Sequence, residues 1–156
     1  MTIASRVRSS IAVIAAAVVV MIVGLPTAPA SAAVGSMTAD LELTQVAGKP
    51  GYVWVRVWGN VTMSRTEAQG LINSGHDVVI RLWGEDQFSD DLLGGLYTPT
   101  RWANHDGLRF ALAHKTHISL LNEDWGEDEL YAGVRLLYPN TQTLRSAETN
   151  RLFGSF

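Results

Sequence analysis

The segment "YVWVRVWGNVTM", residues 52–63, constrains the fold more than any other part of the sequence. It is rich in β-branched and aromatic residues, which β-strands favour. Successive side chains of a strand point to opposite faces. The two predicted faces are Val53, Val55 and Val57 on one side and Tyr52, Trp54, Arg56 and Trp58 on the other. The chain is therefore predicted to be built around a β-sheet.

Further segments have the same strand character and are separated by turn residues. Strands are predicted at 38–46, 76–84, 108–116 and 130–139, with turns at "AGKPG" (47–51) and "NHDG" (104–107). The tail, 140–156, is expected to stay loose or to add an edge strand.

One segment, 65–74, has the period of a short α-helix. Ser64 and Glu67 have the spacing of a capping box, and Gly75 suits the C-terminal end of the helix. Seven or so short strands with one helix predict a mostly β fold, an antiparallel β-sandwich, because strands and helices do not alternate as a parallel sheet requires.

The N-terminus has the pattern of a secretory signal peptide. Arg6 and Arg8 precede a 15-residue apolar run, and small residues follow at Ala30 and Ala32. That run is shorter than the ~20 residues of a membrane-spanning helix. Residues 1–32 are therefore predicted to be a signal peptide that is cleaved before Ala33, and the protein is expected to be secreted, with no stable membrane anchor after cleavage.

The remaining residues, 33–156, have the size of a single domain. Ten Lys and Arg residues remain against fifteen Asp and Glu, a net charge of −5, which argues against nucleic acid as a partner. The chain has no cysteine, so disulfides and thiolate metal sites are excluded.

Two loops between predicted strands are acidic, and the tetrapeptide "WGED" occurs in both, at 83–86 and 125–128. Calcium prefers several carboxylate and carbonyl oxygens, and clustered carboxylates repel one another without a cation. We therefore expect calcium as the cofactor if these loops form a metal site. The candidate ligands are Asp86, Asp90, Asp91, Glu123, Asp124 and Asp128. The alternative is purely structural, because Asp, Gly and Ser favour turns and acidic loops keep an exported protein soluble.

The stretch "VVIRLWGEDQFSDDLLGG" (78–95) resembles the third calcium loop of the calcium-dependent lipid-binding β-sandwiches of the protein kinase C and synaptotagmin type. Asp86 and Asp91 match two aspartates of that loop, and 92–94 match its exit. The resemblance implies a β-sandwich with a calcium-binding loop. Gly84 stands where the family has its first aspartate, so lipid binding is not inferred.

The aromatic side chains of 52–58 suggest a second kind of site. Rings two residues apart on an exposed strand lie about 7 Å from one another and can stack on sugar rings. Trp54 and Trp58 are thus candidate ligand-binding residues of a carbohydrate-binding module. Because both faces of this strand are apolar, we expect it to be a central strand covered on both sides, by the helix or a loop.

Enzymatic signatures are weak. The sequence contains neither G-x-S-x-G nor H-E-x-x-H, and four histidines (His76, His105, His114 and His117) lack the local spacing of a zinc site. The sequence therefore predicts a non-enzymatic binding or structural module with an extracellular ligand or protein partner of unknown identity. A small secreted hydrolase remains a further alternative.

Overall fold

The computed structural model describes residues 34–85, 90–95, 97–121 and 128–154. Within these ranges the chain forms nine β-strands, one α-helix and one short 3₁₀ turn at Ile118–Leu120. The strands and the helix are β1 (Met37–Gln45), β2 (Tyr52–Thr62), α1 (Arg65–Asn73), β3 (Asp77–Glu85), β4 (Asp90–Leu92), β5 (Thr100–Asn104), β6 (Gly107–His117), β7 (Asp128–Leu137), β8 (Thr143–Glu148) and β9 (Leu152–Gly154).

The strands form two antiparallel sheets. Sheet A has the order β1-β2-β6-β5, and sheet B has the order β4-β3-β7-β8, with β9 also paired to β7. Every pairing is antiparallel, and consecutive strands lie mostly in the same sheet, as in other antiparallel folds. The prediction of a mostly β, antiparallel sandwich with one short helix is confirmed.

The core lies between the inner faces of the two sheets. In β2 the alternation predicted from the sequence buries Val53, Val55 and Val57. Phe110 in β6 faces the same interior, and Leu82 and Leu130 contribute from sheet B; all three are buried. Period-two alternation thus divides each strand into a core-facing side and an outward side.

Helix α1 connects β2 of sheet A to β3 of sheet B; it begins at Arg65 as predicted and ends at Asn73, one residue before the predicted end. The Ser64 side chain accepts a hydrogen bond from the Glu67 backbone N–H, and the Glu67 carboxylate accepts one from the Ser64 backbone N–H. Gly75 has φ +80° and donates its N–H to the Ile72 carbonyl, while the next N–H bonds the Leu71 carbonyl. The helix packs against β5 and β6, and Ala68 is its buried residue.

The C-terminal tail completes sheet B at its edge and links it to sheet A. Between β8 and β9, the Thr149 hydroxyl accepts a hydrogen bond from the Ala132 N–H of β7, and the Thr149 N–H donates to the Ala132 carbonyl. The next side chain, Asn150, accepts a hydrogen bond from the Leu41 N–H and donates one to the Leu41 carbonyl, at 2.8 and 3.1 Å. Thr143–Glu148 of the tail forms β8, the outermost strand of sheet B next to β7.

The predicted signal peptide, 1–32, lies outside the described residues, and secretion stays a prediction. Across the part of the chain that the structure describes, no helix is long and apolar enough to cross a membrane.

Candidate functional site

The predicted calcium ligands are only partly within the described ranges. Asp86, Glu123 and Asp124 lie outside them. Asp90 begins β4 and Asp128 begins β7, and for both the structure describes the strand position. Asp91 lies in β4 and is exposed.

Strand register brings together a residue that precedes the first acidic loop and one that follows the second. β3 and β7 are antiparallel neighbours, and Glu85 at the end of β3 pairs with Glu129 near the start of β7. Asp90 of β4 pairs with Glu85 from the other side. Three acidic residues therefore stand in one row across three adjacent strands, about 4.8 Å apart from strand to strand. The strand residues that border the two predicted acidic loops therefore lie at the same end of sheet B.

One ion pair is described at this end of sheet B. The Glu129 carboxylate lies 3.8 Å from the Arg151 guanidinium. Among the residues that the structure describes, no three His, Asp or Glu side chains converge on a common point that would hold a metal ion. The calcium hypothesis therefore depends on residues outside the described ranges and stays a prediction.

The outward side of sheet A carries exposed aromatic rings. We call Tyr52, Trp54, Trp58 and Trp102 the aromatic face. Three of these side chains keep about two-fifths of their surface accessible: Tyr52 at 40%, Trp58 at 40% and Trp102 at 43%; Trp54 is half-buried. The expectation that this side of β2 is covered is wrong for Trp58. Helix α1 instead packs its apolar residues onto the core, so it leaves this surface open.

Spacing on the aromatic face suits an extended ligand. Trp54 and Trp58 are four residues apart on β2, which separates them by about 13 Å. Trp102 lies two strands away from Trp58 and is offset by two residues, a distance of roughly 12 Å. Ala111 of β6 lies between Trp58 and β5, and its small side chain leaves a shallow depression between the rings.

Polar side chains stand among the rings. The Arg56 guanidinium, between Trp54 and Trp58, lies 3.7 Å from the Glu42 carboxylate of β1. Lys115 pairs with Trp54 across the β2–β6 register and is exposed. Hydrogen-bonding groups are thus available beside flat apolar rings, the combination that small-molecule sites commonly show.

Trp102 was not predicted as a site residue. It lies in the short strand β5, whose outward side also carries Thr100. The signal in the sequence was the alternation of "TRWAN", with Ala103 packed against the core and Trp102 facing out. Only the β5–β6 register, in which Trp102 pairs with Arg109, shows that Trp102 shares a sheet face with Trp58.

The hairpin next to Trp102 contains a partly exposed ion pair between Asp106 and Arg109. Asp106 accepts hydrogen bonds from the Arg109 guanidinium. These bonds hold the pKa of Asp106 below the usual value for an aspartate and raise the pKa of Arg109. Arg109 is thereby held in place between Trp102 and Asn60 of β2.

The four histidines lie in different places, each beside a different neighbour. The His114 ring packs against Tyr97, His76 against Tyr138, and His117 against Tyr52, with ring centroids 4.7, 5.2 and 5.1 Å apart. His105 lies in the β5–β6 turn next to Asn104. Each histidine thus has a local partner, which gives the zinc alternative no support.

A hydrolase site would combine a carboxylate and a histidine in one depression. The groove on the outer side of sheet B contains Glu148 among its lining residues, and no histidine within the described ranges lines it. This geometry gives no support to the hydrolase alternative.

No protein-family model matches the chain, and no curated protein matches it either. Among solved structures the chain is similar to a β-glucosidase from Kluyveromyces marxianus, with a TM-score of 0.32 and 11% sequence identity. The alignment covers 76% of this chain and 15% of the β-glucosidase chain, so this chain spans a small part of that protein's length. A likeness at this TM-score bears on neither the fold nor the function.

Proposed function

We propose that this protein is an exported, non-enzymatic carbohydrate-binding module that holds an extended glycan on its aromatic face. The observation that supports the proposal is the exposure of Tyr52, Trp58 and Trp102 on one side of sheet A. Large apolar side chains on an open surface mark a binding region more often than chance, because soluble proteins seldom expose several together.

The chemistry of the face suits a sugar chain. A pyranose ring has an apolar side made of C–H groups that packs flat on an indole, and its rim of hydroxyls needs hydrogen-bond partners. The indoles of Trp54, Trp58 and Trp102 offer the first, and the Arg56–Glu42 pair offers both donors and acceptors. Rings about 12–13 Å apart favour a chain of sugars over a single one.

Isothermal titration calorimetry with soluble oligosaccharides of cellulose, xylan, chitin and starch tests the proposal. We expect saturable binding of at least one neutral oligosaccharide. Substitution of Trp58 or Trp102 by alanine should weaken this binding by about two- to tenfold, since a lost aromatic stacking contact is worth about 0.5–1.5 kcal/mol.

Phe153→Ala is the matched control, because Phe153 is also a large exposed aromatic residue (65% exposed) but lies in β9 of sheet B. Its affinity should equal that of the unmodified protein. Absence of binding to all four glycan classes, or equal binding by Trp58→Ala, Trp102→Ala and the unmodified protein, would refute the proposal.

A second function, calcium binding at the acidic end of sheet B, is favoured by the register of Asp90, Glu85 and Glu129. Millimolar calcium should then raise the melting temperature, because an ion that binds the folded state alone stabilises it. Asp86→Asn with Asp91→Asn should abolish this rise, whereas Asp40→Asn on sheet A should leave it intact. A melting temperature that changes with neither calcium nor chelator would refute this hypothesis.

A further inference from the structure

The outer side of sheet B contains a groove of about 630 Å³ that the proposed function does not use. The floor of the groove is at Gly133 of β7, which has no side chain. Trp83 of β3 stands beside this gap: a Cβ at position 133 would lie 3.2 Å from the Trp83 indole nitrogen. The volume lies in the range of about 300–1,000 Å³ that is common for small-molecule sites.

Two arginines project from neighbouring strands into this groove. Arg81 of β3 pairs with Gly133, and Arg135 of β7 pairs with Val79. The two arginines are thus diagonal neighbours on one face, with Cα atoms about 7–8 Å apart. Gly133, which pairs with Arg81 and is two residues before Arg135, adds no side chain to this face, and the Trp83 indole lies beside it.

Neither guanidinium forms an ion pair or a hydrogen bond with any residue in the described ranges. Four other arginines of the chain each lie close to a carboxylate: Arg56, Arg101, Arg109 and Arg151. In a chain with more acidic than basic residues, two adjacent arginines without such a partner form a local excess of positive charge.

Other lining groups add hydrogen-bond donors and one acceptor. The Trp83 indole N–H makes no hydrogen bond within the described part of the chain. The hydroxyl of Ser146, next to Arg135 in the β7–β8 register, also lines the groove. Glu148 of β8, next to Gly133, is the one carboxylate among the lining residues that the structure describes.

A strained residue borders the same groove. Thr141, in the turn between β7 and β8, has φ +69°. The left-handed region is unfavourable for a β-branched side chain, and strain of this kind is concentrated at ligand sites.

We propose that this groove binds a sugar that carries an oxyanion, a carboxylate or a phosphate. The oxyanion lies between Arg81 and Arg135, because guanidinium groups bond the oxygens of carboxylates and phosphates with two parallel N–H groups. The sugar ring lies along Trp83, and Ser146 and Glu148 bond its hydroxyls. This site is on the opposite side of the sandwich from the aromatic face and does not depend on the function proposed for that face.

The test uses nuclear magnetic resonance of the ¹⁵N-labelled protein at constant ionic strength. The probes are glucuronate, glucose 6-phosphate and neutral glucose, and the readout is the Trp83 indole N–H signal, assigned by its loss in Trp83→Phe. We expect a saturable shift with glucuronate or glucose 6-phosphate and none with glucose. The tighter-binding probe identifies the oxyanion as carboxylate or phosphate.

Arg81→Gln and Arg135→Gln should each weaken the binding by about tenfold or more, since hydrogen bonds between charged groups are lost. Arg65→Gln removes the same charge from the exposed first residue of α1 and should bind as the unmodified protein does. Thermal melting of the three variants shows that they are folded.

Several results would overturn the inference: no saturable shift with either anionic sugar, an equal shift with glucose, or unchanged affinity in both groove variants. This test is independent of the glycan-binding proposal for the aromatic face. Trp58→Ala and Trp102→Ala alter only sheet A, so they should leave binding of the anionic sugar to the groove unchanged.

Discussion

Gly59 of β2 lies directly beneath the ring of Phe110 on β6, its partner in the strand register. A Cβ at position 59 would overlap the Phe110 ring and the Thr38 carbonyl oxygen. Phe110 is 1% exposed and so fills the space that any larger residue at position 59 would need. The absence of one side chain thus sets the position of the largest buried residue of sheet A.

Gly59→Ala is expected to destabilise the protein by about 1–3 kcal/mol, because overpacking forces side chains and backbone to shift. Urea denaturation measures the change. Gly70→Ala is the matched control: no atom lies within 4 Å of the added Cβ, and alanine should stabilise the helix by about 0.5–1 kcal/mol. Equal effects of the two substitutions would contradict this account of Gly59.

Phe110→Ala should cost about 3–5 kcal/mol, the usual loss when a buried aromatic residue is truncated. The comparison variant is Phe153→Ala, since Phe153 is 65% exposed and should change stability by less than about 0.5 kcal/mol. Chemical denaturation of both variants gives the difference. A small effect at Phe110 would mean that it does not belong to the core.

Most of the fold follows from local sequence patterns. The valines of β2 alternate with larger residues, and this alternation predicts a strand with one buried side. The capping box at Ser64 and the glycine at 75 mark both ends of α1 because caps satisfy specific backbone groups. Such signals depend on neighbouring residues, so one sequence is enough to find them.

The candidate sites were harder to predict, because they depend on pairing between distant segments. Trp102 joins Trp58 only through two strand registers, and Arg81 meets Arg135 only because β3 pairs with β7. The coverage of Trp58 was predicted wrongly for a similar reason. An apolar residue on a strand has the same local sequence pattern whether a helix buries it or it is exposed to solvent.

Asn150→Ala is expected to destabilise the protein by about 1–3 kcal/mol. The substitution removes both partners of the Leu41 backbone, and Leu41 is 3% exposed, so water replaces them poorly. Differential scanning calorimetry measures the loss. Asn73→Ala, at an exposed helix position, should have little effect, and a loss as large there would argue against a special role for Asn150.

The stability of the β5–β6 hairpin should depend on pH through Asp106. Hydrogen bonds from Arg109 hold the pKa of Asp106 below its ordinary value. A carboxyl with a lowered pKa in the folded state contributes stability above its unfolded pKa of about 3.9, and the contribution is lost as the pH falls through the folded-state value. Arg109→Gln should raise the pKa of Asp106 toward the ordinary value.

Carbon-13 titration of the Asp106 carboxyl checks this shift directly. Glu67 provides an internal control, because its lowered pKa has a different cause, the Ser64 backbone and side-chain hydrogen bonds of the capping box. Its titration should be the same in Arg109→Gln and in the unmodified protein. An Asp106 titration curve that does not move in the variant would exclude Arg109 as the cause.

The hydrogen bonds between Asn150 and Leu41 also affect whether copies of the protein can associate by strand pairing. β1 is an outermost strand of sheet A, and such strands offer free N–H and C=O groups on which another chain can assemble by intermolecular pairing. Asn150 occupies both groups of Leu41 near the middle of β1. An incoming strand must displace this amide before it can extend the sheet, so the contact that joins the two sheets also guards this edge against aggregation.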